Sequence, residues 1–372
     1  MHQMKRLFFL IPFLLVLVSC RERPAVGRDT IPYVKQLAVD TAGVFSLVRS
    51  YRTAGTEGSI AILGEPDPSY LLAQEFLAAD RYDNIDGKTA PDRLPDFAGE
   101  TFDVVLDLYN DPYIRMAAAS PDSLREVAVR NAVMAVDTVA FSDASDRGSR
   151  LRKTKAKVFV LASSLQTEWG RFDIDTLFRM AGRDALILSP VEAMLSVARD
   201  AGCNRVAVWA PEEAKAAYDS VAKESFPGME VTVISTTGNG ILRPAFRDML
   251  RLFRAVRPNA SLDAVLLDSF KADLDDLYAE QEHIHRQITE EDMAFDRILA
   301  PGFRFIEPKS SLTTACYRFL REHNLFTHNI ARPSAHFYQT EEGPYGEYVL
   351  VELGSDYLSS LTAPSQHVPD HD

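Results

Sequence analysis

From residue 59 onward, short apolar runs recur along the chain, separated by longer stretches in which apolar positions return with a helical period. The runs fall at 59–63, 102–106, 158–162, 185–188, 206–209, 231–234, 262–267, 304–306 and 348–353. They are rich in Val, Ile and Leu with little polar interruption, which is how strands covered on both faces read. Between them, 191–201 places Met194, Val197, Ala198 and Ala201 at spacings of three and four. Residues 243–255 do the same with Phe246, Met249, Leu250 and Phe253. Such stripes are the core-facing sides of surface helices. Pro190, Pro211 and Pro244 stand near predicted helix starts, where a missing N–H costs little. A long, outwardly charged helix is predicted over 270–292, and an early strand over 44–51. Strands alternating with helices in this way predict an α/β fold of doubly wound parallel sheets.

The same pattern divides the chain. Residues 58–186 and 187–300 each hold a self-contained series of strands and helices, which predicts two lobes of similar size. Residues 301–353 then return to complete the lobes, 20–57 form a tether with the early strand, and 354–372 form a tail.

Residues 1–19 follow a different logic. Lys5 and Arg6 precede an apolar run at 7–18, and small or aliphatic residues lead up to Cys20. These are the parts of a secretory signal peptide. The run is about a dozen residues, whereas a spanning helix needs roughly 20. Leu17-Val18-Ser19-Cys20 resembles the bacterial lipobox. That resemblance implies cleavage before Cys20 and acyl chains, palmitate among them, on the cysteine. The expectation is a lipoprotein anchored in the cell envelope, on the periplasmic face or at the outer-membrane surface. Arg-Glu-Arg-Pro rather than an aspartate follows Cys20, which argues against inner-membrane retention by resemblance to bacterial sorting rules.

Composition narrows the partners. A formal net charge of -13 argues against nucleic acid, because phosphate binding needs clustered Lys and Arg. The one basic cluster, at 147–157, reads as a solvated connection entering a strand. Hydrophobic residues make up 46% of the chain, enough for a sizeable core. Cys203 and Cys316 are the cysteines after Cys20; an oxidising compartment permits them to pair, and buried free thiols are the alternative. No metal site and no cofactor are expected. His283 and His285 are two apart on a predicted helix, so they diverge and read as solvated positions.

Two segments carry a family resemblance. Ala193-Met-Leu-Ser-Val-Ala-Arg-Asp-Ala-Gly202-Cys-Asn-Arg-Val-Ala-Val208 looks like the helix, turn and strand that open the second lobe of type I periplasmic solute-binding proteins. Ser261-Leu-Asp-Ala-Val-Leu-Leu-Asp268 looks like a later strand of the same family that delivers a ligand-facing residue. The resemblance implies an interlobe cleft that closes on a small polar ligand, for uptake or sensing. A transporter or sensor complex in the membrane would read the closed form.

In doubly wound sheets, ligands sit beyond the carboxyl ends of the strands. Applied here, that rule selects Glu65, Asp67 and Tyr70 after the first run, then Asp107, Tyr109 and Asn110 after the second. Ser163 and Ser164, Trp209, Asp268 and Phe270, and Lys309 follow later runs. Hydroxyls and carboxylates with aromatic faces suit a polar organic ligand. The competing role for Ser after a strand is capping the next helix, and the aromatics could equally serve interlobe packing. Asp107, ending an otherwise apolar strand, needs a partner if buried. No nucleophile elbow, P-loop, complete G-x-G-x-x-G or H-E-x-x-H occurs. The leading expectation is therefore a solute-binding lipoprotein. The second is an envelope α/β enzyme, hydrolases included, using Asp107 with Glu65 or Asp268 for acid–base work. A scaffolding protein with a filled interlobe surface is the third.

Overall fold

The computed structural model describes residues 29–354 apart from 41–42, 53–54, 111, 147, 236–242 and 345–346. The expected signal peptide over 1–19, Cys20 and the tail beyond 354 lie outside the described residues.

Two short helices lead, α1 (Pro32–Val39) and α2 (Val44–Ser50). The second stands where a strand was expected at 44–51. Phe45 and Val48, three apart, are its buried residues, and that spacing belongs to a helix. The first lobe then runs through β1 (Ser59–Gly64), α3 (Pro66–Ala78), β2 (Thr101–Leu106), α4 (Tyr113–Ala119) and α5 (Pro121–Val136). It continues with β3 (Val139–Phe141), β4 (Arg150–Arg152), β5 (Ala156–Leu161), α6 (Ser164–Glu168), α7 (Arg171–Met180) and β6 (Ile187–Leu188).

The second lobe follows α8 (Pro190–Asp200) with β7 (Arg205–Trp209), α9 (Lys215–Ser225), β8 (Glu230–Ile234) and α10 (Arg243–Val256). Next come β9 (Leu262–Leu267), α11 (Leu274–His285), α12 (Glu290–Asp296) and β10 (Leu299–Ile306). The expected single helix over 270–292 is thus two. Gln287 has a left-handed φ of 52°, and Thr289 with Asp292 forms a capping box that starts α12 anew. The chain returns through α13 (Pro308–Glu322), β11 (Ser334–Glu342) and β12 (Tyr348–Glu352).

The strands form two sheets. One has the order β4-β3-β12-β11-β2-β1-β5-β6, the other β10-β9-β7-β8. The second is parallel throughout, whereas the first carries antiparallel pairs β11/β12 and β3/β4 beside its parallel centre. The protein is therefore α/β with parallel-sheet lobes, but the lobes are unequal, eight strands against four. The equal halves expected from sequence omitted β3, β4 and β11. Their short or polar stretches lack the continuous apolar character of a doubly covered strand, since β4 reads exposed and β11 is mixed.

Alternate residues of the central strands serve opposite faces. Ala61 and Leu63 pack with α1, α2, α5 and α7, while Ile60 and Ile62 pack with α3 and α13. The basic segment entering β5 is solvated as expected at Arg150 and Arg152, but not throughout. Lys153 and Lys157 turn inward, onto Asp103 at 3.1 Å and Glu100 at 2.7 Å, all four side chains being almost wholly buried. Cys203 and Cys316 are unpaired and buried in different clusters. Among the described residues, no helix is long and apolar enough to cross a membrane.

Candidate active site at the boundary between the lobes

Residues just past the carboxyl ends of β5 and β9 meet across the lobe boundary, Ser164 with Asp268, while Glu65 past β1 and Asp107 past β2 both face Tyr113 on α4. Local structure at β1 makes room there. At Gly64 a Cβ would come within 3.0 Å of the Ala162 Cβ, 3.1 Å of the Ser69 Oγ and 3.4 Å of the Gln166 Oε1. Hydrogen suits that position because two polar side chains already crowd it. Glu65 precedes Pro66 at the start of α3 and makes no capping bond there. Its Oε1 instead accepts from the Tyr113 backbone N–H at 2.7 Å.

Asp107, just past β2, is 5% exposed. Its Oδ1 accepts from the Asn110 backbone N–H at 3.2 Å and side-chain amide at 2.8 Å, and the Tyr113 hydroxyl faces the same carboxylate. Burial raises its pKa despite those bonds. From the other lobe comes Asp268, just past β9. Ser164, at the start of α6, donates its hydroxyl to Asp268 Oδ2 at 2.6 Å across the boundary. The buried Tyr218 hydroxyl on α9 faces the same carboxylate. Asp268 keeps some accessible surface as a residue, but its carboxylate is enclosed by protein, and burial pushes its pKa up to about 6. Tyr218 is pushed well above its ordinary value by burial and by the Asp268 charge, so it stays protonated. The helices that carry Tyr113 and Tyr218 lie against a common neighbour. α4 and α9 both pack on α6, and Tyr113, Leu165 and Tyr218 share one buried cluster.

The other expected site residues take different places. Ser163 caps α6, its Oγ accepting from the Leu165 N–H at 3.2 Å. Trp209 is 2% exposed and packs into the second lobe behind its sheet, although its carbonyl accepts the Asp268 N–H at 3.0 Å. Phe270 is buried in the first lobe's cluster, serving interlobe packing. Asp67 is exposed and pairs with Lys271 across the lobes. Tyr70 leans on Phe337, ring centroids 5.8 Å apart. Tyr109 is 71% exposed, and Lys309 occupies the first turn of α13. Tyr113, Gln166, Thr167 and Tyr218 were not selected from the sequence. The two tyrosines sit on helix faces that read as apolar stripes. Gln166 and Thr167 lie in a polar run directly after β5, a signal that was legible. Gln166 is fully buried with neither side-chain amide atom bonded, and the Thr167 Oγ1 is likewise unbonded.

Among the described residues no thiol reaches the strand tips, since Cys203 precedes β7 and Cys316 lies within α13. Among the described residues, no group of three or more His, Cys, Asp or Glu is arranged to hold a metal ion. A groove of about 340 Å³ lies away from the boundary, lined in part by Gln281, His285 and Asp296. There His285, read from sequence as solvated, has its Nδ1 2.5 Å from Asp296 Oδ1.

No protein-family model matches the chain, and no curated protein matches it. Among solved structures, it is similar to glutamate racemase from Francisella tularensis in complex with D-glutamate. Identity is 12% over 78% of this chain and 91% of that one, with a TM-score of 0.49. An aspartate racemase homologue from Pyrococcus horikoshii is 11% identical over 71% of this chain and 99% of that one, TM-score 0.41. Arylmalonate decarboxylase is 15% identical over 70% and 91%, TM-score 0.32. These are racemases and a decarboxylase, not type I periplasmic solute-binding proteins. The resemblance to that family is corrected accordingly, and the solute-binding function and the transporter or sensor partner fall with it. At the boundary, Tyr113 and Leu165 pack with second-lobe residues in one buried cluster, and Phe270 packs with first-lobe residues in another.

Proposed function

We propose that this chain is an acid–base enzyme that handles a small polar substrate where its two lobes meet, with the Asp268 carboxylate taking and returning the proton. The observation that carries this reading is Asp268 itself: a strand-end carboxylate held between hydroxyls from both lobes, with its pKa pushed up to about 6. A general base works best when its pKa lies near the working pH, and an ordinary aspartate is too weak a base for that. Asp107, also raised by burial, is the second carboxylate of the site. The test is a panel of small esters, amides, hydroxy acids and amino acids incubated with the protein in D₂O, followed by NMR for turnover and deuterium uptake. A reacting member is expected to show kcat/KM rising with pH through about 6. A rate flat between pH 5 and 8, or a panel that stays inert throughout, would sink the reading.

We place this enzyme on the cell envelope, held by lipid on Cys20. The support is the charged, apolar and small-residue succession ending in Leu17-Val18-Ser19-Cys20. One acyl chain binds a membrane only marginally, so lasting attachment needs several. Cys20→Ala is expected to move the protein from the membrane pellet to the soluble fraction and to remove acyl mass from its N-terminal peptide. Unchanged fractionation would remove the anchor.

A further inference from the structure

We infer that Ser164 is a covalent nucleophile, with Asp268 as its base and the Thr167 hydroxyl as a donor to the oxyanion. This rests on the acid–base reading above and adds a substrate class, carboxylic esters or other activated acyl compounds.

Two serines stand side by side after β5, and their oxygens are used differently. Ser163 Oγ accepts the Leu165 N–H, the ordinary fate of a serine at a helix start. Ser164 Oγ leaves its own helix and donates to Asp268 Oδ2 at 2.6 Å, a carboxylate supplied by the opposite lobe. A hydroxyl bonded to a carboxylate base, which is in turn faced by a third group, has the arrangement of an activated nucleophile. Tyr218 is that third group, fully buried and held protonated. The independent sign of a ligand comes from Thr167. It lies three residues after Ser164 on α6, so both side chains share one face. Its hydroxyl is buried, the residue being 9% exposed, and it has no hydrogen-bond partner. Buried hydroxyls normally find a partner, and an acyl oxygen arriving beside Ser164 would be one.

The steps balance without any further reagent than water. Asp268 takes the Ser164 proton as Oγ bonds the acyl carbon, and the carbonyl electrons move onto the oxygen facing Thr167. The intermediate collapses, the bond to the leaving alcohol breaks, and Asp268 returns the proton to that alcohol. Water then attacks the acyl carbon as Asp268 takes its proton; the bond to Oγ breaks, the acid leaves, and Asp268 returns the proton to Ser164.

The experiment treats the full chain with an aryl fluorophosphonate and, separately, with p-nitrophenyl acetate, then locates the adduct by peptide mass. The expected result is a single adduct on the Ser164 peptide, abolished by Ser164→Ala. Asp268→Asn is expected to slow labelling by about 100-fold or more. Ser164→Cys offers a second route: iodoacetamide should alkylate residue 164 ahead of the buried Cys203 and Cys316. An adduct on Ser163 or elsewhere, or no adduct at all, overturns the nucleophile. If Asp268-dependent turnover is found in the D₂O panel while Ser164→Ala retains it, the covalent step is wrong and the acid–base reading stands. If Ser164 labels but no rate depends on Asp268, the base assignment fails instead.

Discussion

Lys157→Met is expected to cost about 3–5 kcal/mol at pH 7.5, the usual penalty for removing one partner of a buried ion pair. Lys157 is 0% exposed, and its ammonium donates to the Thr56 and Leu325 carbonyls at 3.0 and 2.7 Å while pairing with Glu100. Methionine fills the volume but leaves Glu100 charged in a buried place. Burial already raises the Glu100 pKa, with Lys157 the main opposing influence, so losing the lysine raises it further. A carboxyl that is easier to protonate when folded costs stability as pH rises and is relieved as pH falls. Urea unfolding should therefore show a larger loss at pH 7.5 than at pH 5. Adding Glu100→Gln should restore part of it, because the stranded charge is then gone. A loss below about 1 kcal/mol at pH 7.5 would mean that the pair is solvated after all.

Lys157 also marks where the sequence stops being legible. In the run at 147–157 six of eleven residues are basic, which is what an exposed connection looks like. Its partners are Glu100, Thr56 and Leu325, contributed by distant parts of the chain, and no local pattern announces them. The core strands, and β8 at the edge of the smaller sheet, were legible because a largely apolar run needs no partner to be recognised. β1, β2, β5, β7, β8 and β9 all fall where the runs predicted them. β11 and β12 differ instructively. β12 keeps an apolar run, whereas the longer β11 mixes His336, Gln339 and Thr340 into its length because only Phe337 and Tyr338 at its centre are buried. The candidate site was legible in the same partial way. The strand-end rule found Asp107, Ser164 and Asp268, but it could not separate Ser163 from Ser164, since both follow β5. What distinguishes them is a carboxylate from the other lobe. The binder expectation failed for a related reason: alternating strands and helices announce two lobes, and several doubly wound folds write that same pattern.

Asp268→Asn is expected to remove activity and to stabilise the fold. As the proposed base, its loss should lower kcat/KM by about 10²–10⁴. Stability should move the other way above neutral pH. The folded-state pKa of about 6 lies above the ordinary 3.8. The proton is therefore held more tightly in the fold, and the stabilisation it gives is complete below about pH 4 and lost as pH rises through 6. The gap corresponds to about 3 kcal/mol of cost borne by wild type at pH 8. Asparagine does not ionise and escapes this cost. Thermal melts of the two proteins should thus diverge at pH 8, the variant being the more stable, and converge towards pH 4. A variant that is less stable at pH 8 would show that the Ser164 and Tyr218 contacts outweigh the burial of the charge.

The order of strands in the larger sheet has a consequence for how the protein is made. β2 sits between β1 and β11, yet β11 follows the whole second lobe in the chain. A ribosome delivering this protein releases β2 long before its neighbour exists, so one side of the sheet's centre waits with its peptide groups unmatched. Such an open margin invites pairing with another nascent chain. A holding chaperone that keeps the early half unfolded until the last strands emerge would serve the same sheet that later supports the site.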